Sequence, residues 1–135
     1  MNFNLSAQRI NNLGSLVLVK EIELEIDTSV SGRPDALNPV ELLLAALAAC
    51  ILKGVERIAP KLNLTFDAIQ IDFAAQRPEL EARIESISYL ITVDTDESDS
   101  KLELLHKNLQ KQGTIYNTVK LGTKLTGSIR RAARS

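Results

Sequence analysis

The stretch NPVELLLAALAACILKGVERIAP, residues 38–60, decides the fold. It reads as one long helix with both ends marked. Asn38 can act as N-cap, taking a backbone N–H on its side-chain oxygen. Pro39 follows at the first helical position, where a missing N–H costs nothing. Glu41 falls three residues after the cap and can reach back to it, as in a capping box. Pro60 cannot continue the helix and disfavours helical geometry at Ala59. Every residue from Leu42 to Leu52 is apolar. A helix apolar all round is buried on most sides. The run is about eleven residues, and a membrane span needs about twenty, so this is a central core helix. Ala45, Ala46, Ala48 and Ala49 are small and admit another backbone close by. The helix carries the chain's single cysteine, Cys50. At about 100° per residue, Gly54 and Arg57 share its face, and Lys53 lies a turn away and off that face.

Outward from the helix, the chain of 135 residues fits one domain, 1–135, with a sizeable core. The net charge of −1 gives no general attraction to nucleic acid or anionic membrane. Trp is absent and aromatic residues are few, which disfavours a stacking platform for single strands. No secretory signal or transmembrane segment is legible. One cysteine cannot form an intrachain disulfide, and this points to a reducing cytoplasm. Arg130, Arg131 and Arg134 read as a solvated strand end and tail.

Before the helix, Phe3–Ile10 reads as a strand and 11–14 as a turn. Leu16–Val19 is continuously apolar. Over Glu21–Asp27, Ile22, Leu24 and Ile26 alternate with Glu21, Glu23 and Glu25, a strand with one wet face. Lys20 is either a pivot between two strands or the middle of one longer strand. A loop rich in Ser, Gly, Pro and Asp, carrying Arg33, leads to the helix. After it, strands are expected at Phe66–Gln76 and Arg83–Asp94, the latter with Ile87, Tyr89, Ile91 and Val93 on one face. A second helix is expected at Ser98–Gln112 with Leu102, Leu105 and Leu109 as its buried stripe, then a helical turn at Thr114–Val119 and a strand at Lys124–Arg131. Runs of strands with few helices imply α+β with a largely antiparallel sheet. The central helix is too apolar for one sheet to cover, and an intertwined dimer would bury the remainder.

Cys50 admits two readings. A free cysteine in an apolar helix is commonly a small buried hydrophobe. An activated thiolate needs a cation from elsewhere, because the mid-helix position lies beyond the reach of the N-terminal dipole. Arg9, Arg33, Lys53 and Arg57 are the candidates. Glu41 is better explained by capping than by catalysis. His106, the single histidine, is a poor start for a metal site; it packs at the edge of the core or meets Cys50 across an interface. Asp94, Asp96 and Asp99 lack the glycine and glutamate of a calcium loop and read as helix-capping groups. No phosphate loop, dinucleotide fingerprint or hydrolase elbow is present, and no cofactor or metal is expected.

The run NPVELLLAALAAC, 38–50, resembles the OsmC/Ohr family of thiol-dependent hydroperoxide reductases. A second resemblance lies at GTIYNTVKLG, 113–122, which is similar to the family's Cys-Pro-x-Ser-Asn-Thr type segment, with Asn117 and Thr118 in place. The resemblance implies an α+β OsmC-like fold, with largely antiparallel sheets wrapped around long central helices in an intertwined homodimer. It also implies active sites at the subunit interface. In two-cysteine members the helix cysteine attacks the peroxide and a second cysteine closes a disulfide that an external dithiol reduces. An arginine of the first strands and a glutamate directly after Asn-Pro assist. Cys50 matches the attacking cysteine, and Arg9 lies where the arginine is expected. Gly113 stands at the second cysteine position and Val40 at the glutamate position.

The expected function is therefore a one-cysteine (hydro)peroxide reductase, with Cys50 and Arg9 as site residues, an organic hydroperoxide as substrate and an external thiol as reductant. The alternative is a non-catalytic module that binds a small apolar ligand in the interface cleft, since Val40 and Gly113 make the site more apolar.

Overall fold

The computed structural model describes residues 1–134 and divides into two compact units, one over 1–45 and one from 46 onward. The fold is α+β, with two three-stranded sheets.

The first unit holds a meander of β1 (Ser6–Asn11), β2 (Gly14–Val19) and β3 (Ile22–Asp27), antiparallel throughout. The first turn is closed by Asn11, whose Oδ1 accepts the Leu13 N–H at 2.9 Å, the local bond that favours Asn in turns. Lys20 is the pivot between two strands, with left-handed backbone at φ 54°. Directly paired residues share a face of an antiparallel sheet. The register Ala7↔Val17↔Leu24, Arg9↔Ser15↔Ile26 and Val19↔Ile22 therefore gathers one apolar face, with Arg9 as its charged member. That face is open: Ile22 is 57% and Leu24 43% exposed. The alternation predicts the strand correctly, but the apolar side as well as the glutamate side is bare.

The loop to the helix is organised by Asp27, which is buried. Its Oδ1 accepts the Ser29 N–H and hydroxyl, its Oδ2 accepts the Arg33 N–H, and its own N–H donates to Leu37 O. Those donors hold its carboxyl below the ordinary range, the Ser29 hydroxyl most strongly. The α1 helix (Pro39–Ile58) then begins on a reciprocal cap. Asn38 Oδ1 accepts the Glu41 N–H at 2.9 Å, and Glu41 Oε1 accepts the Asn38 N–H at 3.0 Å. Asn38→Ala is expected to cost about 0.5–2 kcal/mol, read as a lower denaturant midpoint; an unchanged midpoint would mean that the cap does not hold the helix.

Burial along α1 is one-sided. Leu47, Ile51, Gly54, Val55 and Ile58 are buried, whereas Ala45, Ala49 and Leu52 are exposed. The all-apolar run is thus covered along one stripe only.

In the second unit a 3-10 turn (Ala59–Leu62) ends the helix, with Asn63 left-handed after it. The strands β4 (Ala68–Gln76), β5 (Ser86–Asp94) and β6 (Lys124–Arg131) form a sheet with β5 in the centre. The β4–β5 pair is antiparallel and β5–β6 is parallel. The sheets are thus largely antiparallel, as expected; the one parallel pair is allowed because α2 (Asp99–Gln112) and α3 (Thr114–Val119) form the crossover that parallel strands require. Ile87, Tyr89, Ile91 and Val93 are buried on one face of β5, and Leu102, Leu105 and Leu109 are buried along α2. Ser98 caps α2 by accepting the Lys101 N–H. The nearby acids have other partners: Arg134 binds Asp94 and Asp96, and Arg131 binds Asp99. The tail expected to be solvated is thus tied back to the start of α2. Among the described residues no helix is long and apolar enough to cross a membrane.

Candidate functional site

Cys50 lies on α1 one residue before buried Ile51, and is itself half-buried with a free thiol. Its sulfur meets the junction between α2 and α3. A Cβ built on Gly113 would lie 3.1 Å from Cys50 Sγ, 3.0 Å from Tyr116 Cβ and 3.2 Å from Leu109 O. Gly113 has φ −77° and ψ 118°, a conformation open to any residue. Close approach, not backbone strain, therefore sets what fits there. The junction is fixed by main-chain bonds: Gly113 N–H donates to Leu109 O, and Gly113 O accepts the Asn117 N–H at 2.8 Å. Asn117 also donates its side-chain N–H to Lys111 O. Its Oδ1 is buried with no partner among the described residues.

The structure thus brings together Cys50 and Gly113, which are far apart in sequence. It also adds Tyr116, whose role no local pattern signals. Val40 is half-buried on the first turn of α1, and Glu41 beside it is engaged in the cap. Arg9 belongs to the first unit, exposed on β1 opposite Ser15. Arg33, a rival candidate cation, is bound to Glu25 at 2.6 Å and Asp35 at 2.7 Å. Those carboxylates raise its pKa further above the ordinary range, Asp35 first. Lys53 and Arg57 are exposed on α1.

His106, on α2, forms a 2.6 Å hydrogen bond between Nε2 and the Tyr89 hydroxyl. Burial lowers its pKa from the ordinary 6.5. Its place is at the core edge, one of the two positions the sequence allowed. Tyr89 is buried, and its ring lies so close on Gly127 that a Cβ there would collide with it. Burial, then the neighbouring Tyr116 phenol, pushes its phenol above the ordinary range. Among the described residues no group of three or more His, Cys, Asp or Glu is arranged to hold a metal ion.

Comparison with known proteins bears directly on this arrangement. A family model described as OsmC-like protein matches residues 32–127, the span that includes both Cys50 and Gly113. No curated protein sequence matches. Among solved structures, an OsmC-like protein from Mycoplasma pneumoniae is similar with TM-score 0.88 at 15% identity, covering 98% of this chain and 99% of that one. A hypothetical protein from Aquifex aeolicus gives TM-score 0.86 at 20% identity, covering 100% and 99%. The organic hydroperoxide resistance protein OhrB of Bacillus subtilis gives 0.71 at 14%, covering 96% and 98%. At such identities the structures establish the shared fold, and with the family match across most of the length, the chain belongs to the OsmC-like family.

Proposed function

We propose that this chain is a thiol-dependent organic hydroperoxide reductase that uses Cys50 alone and is returned to its reduced state by an outside thiol. The observation that carries this reading is the seat of Cys50 Sγ against Gly113, the residue that stands, by the resemblance of 113–122, where the family has its second cysteine. The name of the structurally similar organic hydroperoxide resistance protein OhrB supports the substrate class.

The cycle balances without a second cysteine. The Cys50 thiolate attacks one peroxide oxygen and the O–O bond breaks. Sulfur leaves as sulfenic acid, and the departing alkoxide takes a proton to become an alcohol. An outside thiol then attacks the oxidised sulfur, releasing water and forming a mixed disulfide. A second thiol cleaves that bond, restoring Cys50 and leaving the two outside thiols joined as a disulfide.

Arg9 belongs to this reading as the cation that favours the thiolate. Its position on an apolar sheet face supports delivery by a second copy of the chain, which would cover that face. With Val40 in place of a carboxylate, nothing after Asn-Pro holds the guanidinium, so turnover is expected to be slower than with that glutamate present. Peroxide dosing with intact mass and sulfenic-acid trapping tests the proposal. The expected result is rapid loss of one thiol per chain, gain of one trappable oxygen, and no intrachain disulfide, all absent in Cys50→Ser. A Cys50 that stays unmodified in the folded protein under millimolar organic hydroperoxide, yet reacts once unfolded, would overturn it and favour a ligand-binding role.

A further inference from the structure

We infer that His106 is a positioning residue for Cys50, acting through Tyr89 and Tyr116, and that its protonation loosens the cover over the thiol. This rests on reading Cys50 as the reactive group of the chain.

The contacts form a continuous line within the second unit. Tyr89 is clamped between Gly127 beneath its ring and His106 at its hydroxyl. The His106 ring stands edge-on to it, centroids 5.6 Å apart, and the Tyr116 ring stands edge-on at 6.2 Å. Gln110, one turn beyond His106 on α2, donates to the Tyr116 hydroxyl at 3.3 Å. One face of α2 therefore holds both phenols. Tyr116 Cβ and Cys50 Sγ both border Gly113: a Cβ built there would lie 3.0 Å from the first and 3.1 Å from the second. Around this line the core is aliphatic: Ile51, Ile91, Leu105 and Leu109. A polar network in such a core fixes one arrangement while every member is satisfied, and becomes costly when one is not.

Acid strikes at His106. The titratable groups along the line are Tyr89 from β5 and Tyr116 from α3, both neutral near pH 7. From β6 the neighbour of Tyr89 is the uncharged Gly127, while Arg131 of that strand is held by Asp99. On α2 itself Glu103 and Lys107 are exposed and Gln110 is uncharged. Burial is what acts on the imidazole, and it disfavours the charged form. Once protonated, Nε2 can only donate, so the Tyr89 hydroxyl must turn from donor to acceptor across the 2.6 Å bond, and the Tyr116 side of the Gly113 junction slackens.

The test is alkylation of Cys50 by iodoacetamide between about pH 5 and 7, where His titrates. Each rate is divided by the rate for the same chain unfolded at the same pH, giving a protection factor. His106 protonation is followed in parallel by NMR of its ring protons. Protection should fall several-fold on the acid side, in step with that titration, while far-UV circular dichroism holds constant. His106→Gln keeps an acceptor for Tyr89 but does not titrate, so its protection should be flat with pH. Tyr89→Phe keeps the ring and should show lowered protection at neutral pH with no acid step. A wild-type protection factor that ignores pH, or an equal acid fall in His106→Gln, overturns the inference. Alkylation reads access and thiolate fraction and involves no peroxide, so the result is separable from the peroxide experiment. A Cys50 inert to hydroperoxide but with His106-dependent protection would sink only the reductase reading.

Discussion

Gly113→Cys will close a disulfide with Cys50. Across a disulfide, each Cβ lies roughly 3 Å from the opposite sulfur, given an S–S bond of about 2.04 Å. A Cβ on Gly113 would stand 3.1 Å from Cys50 Sγ without any backbone movement. The backbone at 113 accepts a side chain, and its contacts to Tyr116 Cβ and Leu109 O demand shifts of only a few tenths of an ångström. The loop closed is roughly 60 residues long, for which the chain-entropy model gives roughly 4 kcal/mol of stabilisation. Intact mass under non-reducing conditions should show loss of two hydrogens, and the denaturant midpoint should rise on oxidation and fall on reduction. After a stoichiometric peroxide dose the sulfenic acid should escape trapping, because the introduced thiol would reach it first. If both thiols stay titratable in the folded, oxidised variant, the junction does not sit against Cys50 and the one-cysteine cycle loses its structural basis.

The parts of this fold legible in sequence are those written in short-range chemistry. Asn38, Pro39 and Glu41 mark the start of α1 within four positions, and the bonds between Asn38 and Glu41 are the ones the capping pattern describes. Leu102, Leu105 and Leu109 give α2 its buried stripe by helical spacing, and β6 begins and ends where its alternation does. Strand starts are less legible. Apolar Phe3 and Phe66 extend the pattern past the ladders, which begin at Ser6 and Ala68, and Arg83–Glu85 precede the pairing that opens at Ser86. Pairing, not side-chain type, sets those limits. Asp27 is legible only in part: its bond to the Ser29 N–H is a local turn bond, but the Arg33 N–H arrives only once the loop folds back. The line from His106 through Tyr89 joins residues on different elements, so no periodicity announces it. At the site, the place of Gly113 is legible only through the resemblance of 113–122 to a known motif. Its contact with Cys50 needs coordinates.

A homodimer at micromolar concentration is the second large expectation, and the exposure pattern carries it. The sheet of the first unit has three strands and no second layer of its own. A sheet of that size needs one face buried to be stable. Its apolar face, Ala7, Val17, Val19, Ile22, Leu24 and Ile26, is the one set by register, and Ile22 and Leu24 are open on it. On α1, Ala45, Ala49 and Leu52 form a second bare stripe with period near one and two helical turns. Small residues there permit a backbone or a sheet to approach closely, as the mutual wrapping of two copies requires. Covering both surfaces should bury well above the roughly 800 Å² per partner of a standard interface. Apolar burial at about 25 cal/mol per Å² favours such an assembly, although ordering and association costs absorb much of it. Sedimentation or light scattering should give twice the chain mass. Leu24→Asp, which places a charge in the middle of the sheet face, should shift the population toward monomer and lower the thermal midpoint. It should also slow the peroxide reaction of Cys50, because Arg9 sits on that same face and would no longer be delivered. A wild-type chain that sediments as a monomer at micromolar concentration would refute the dimer. A dimer in which Arg9→Ala leaves the Cys50 reaction rate unchanged would keep the assembly and remove Arg9 from the site.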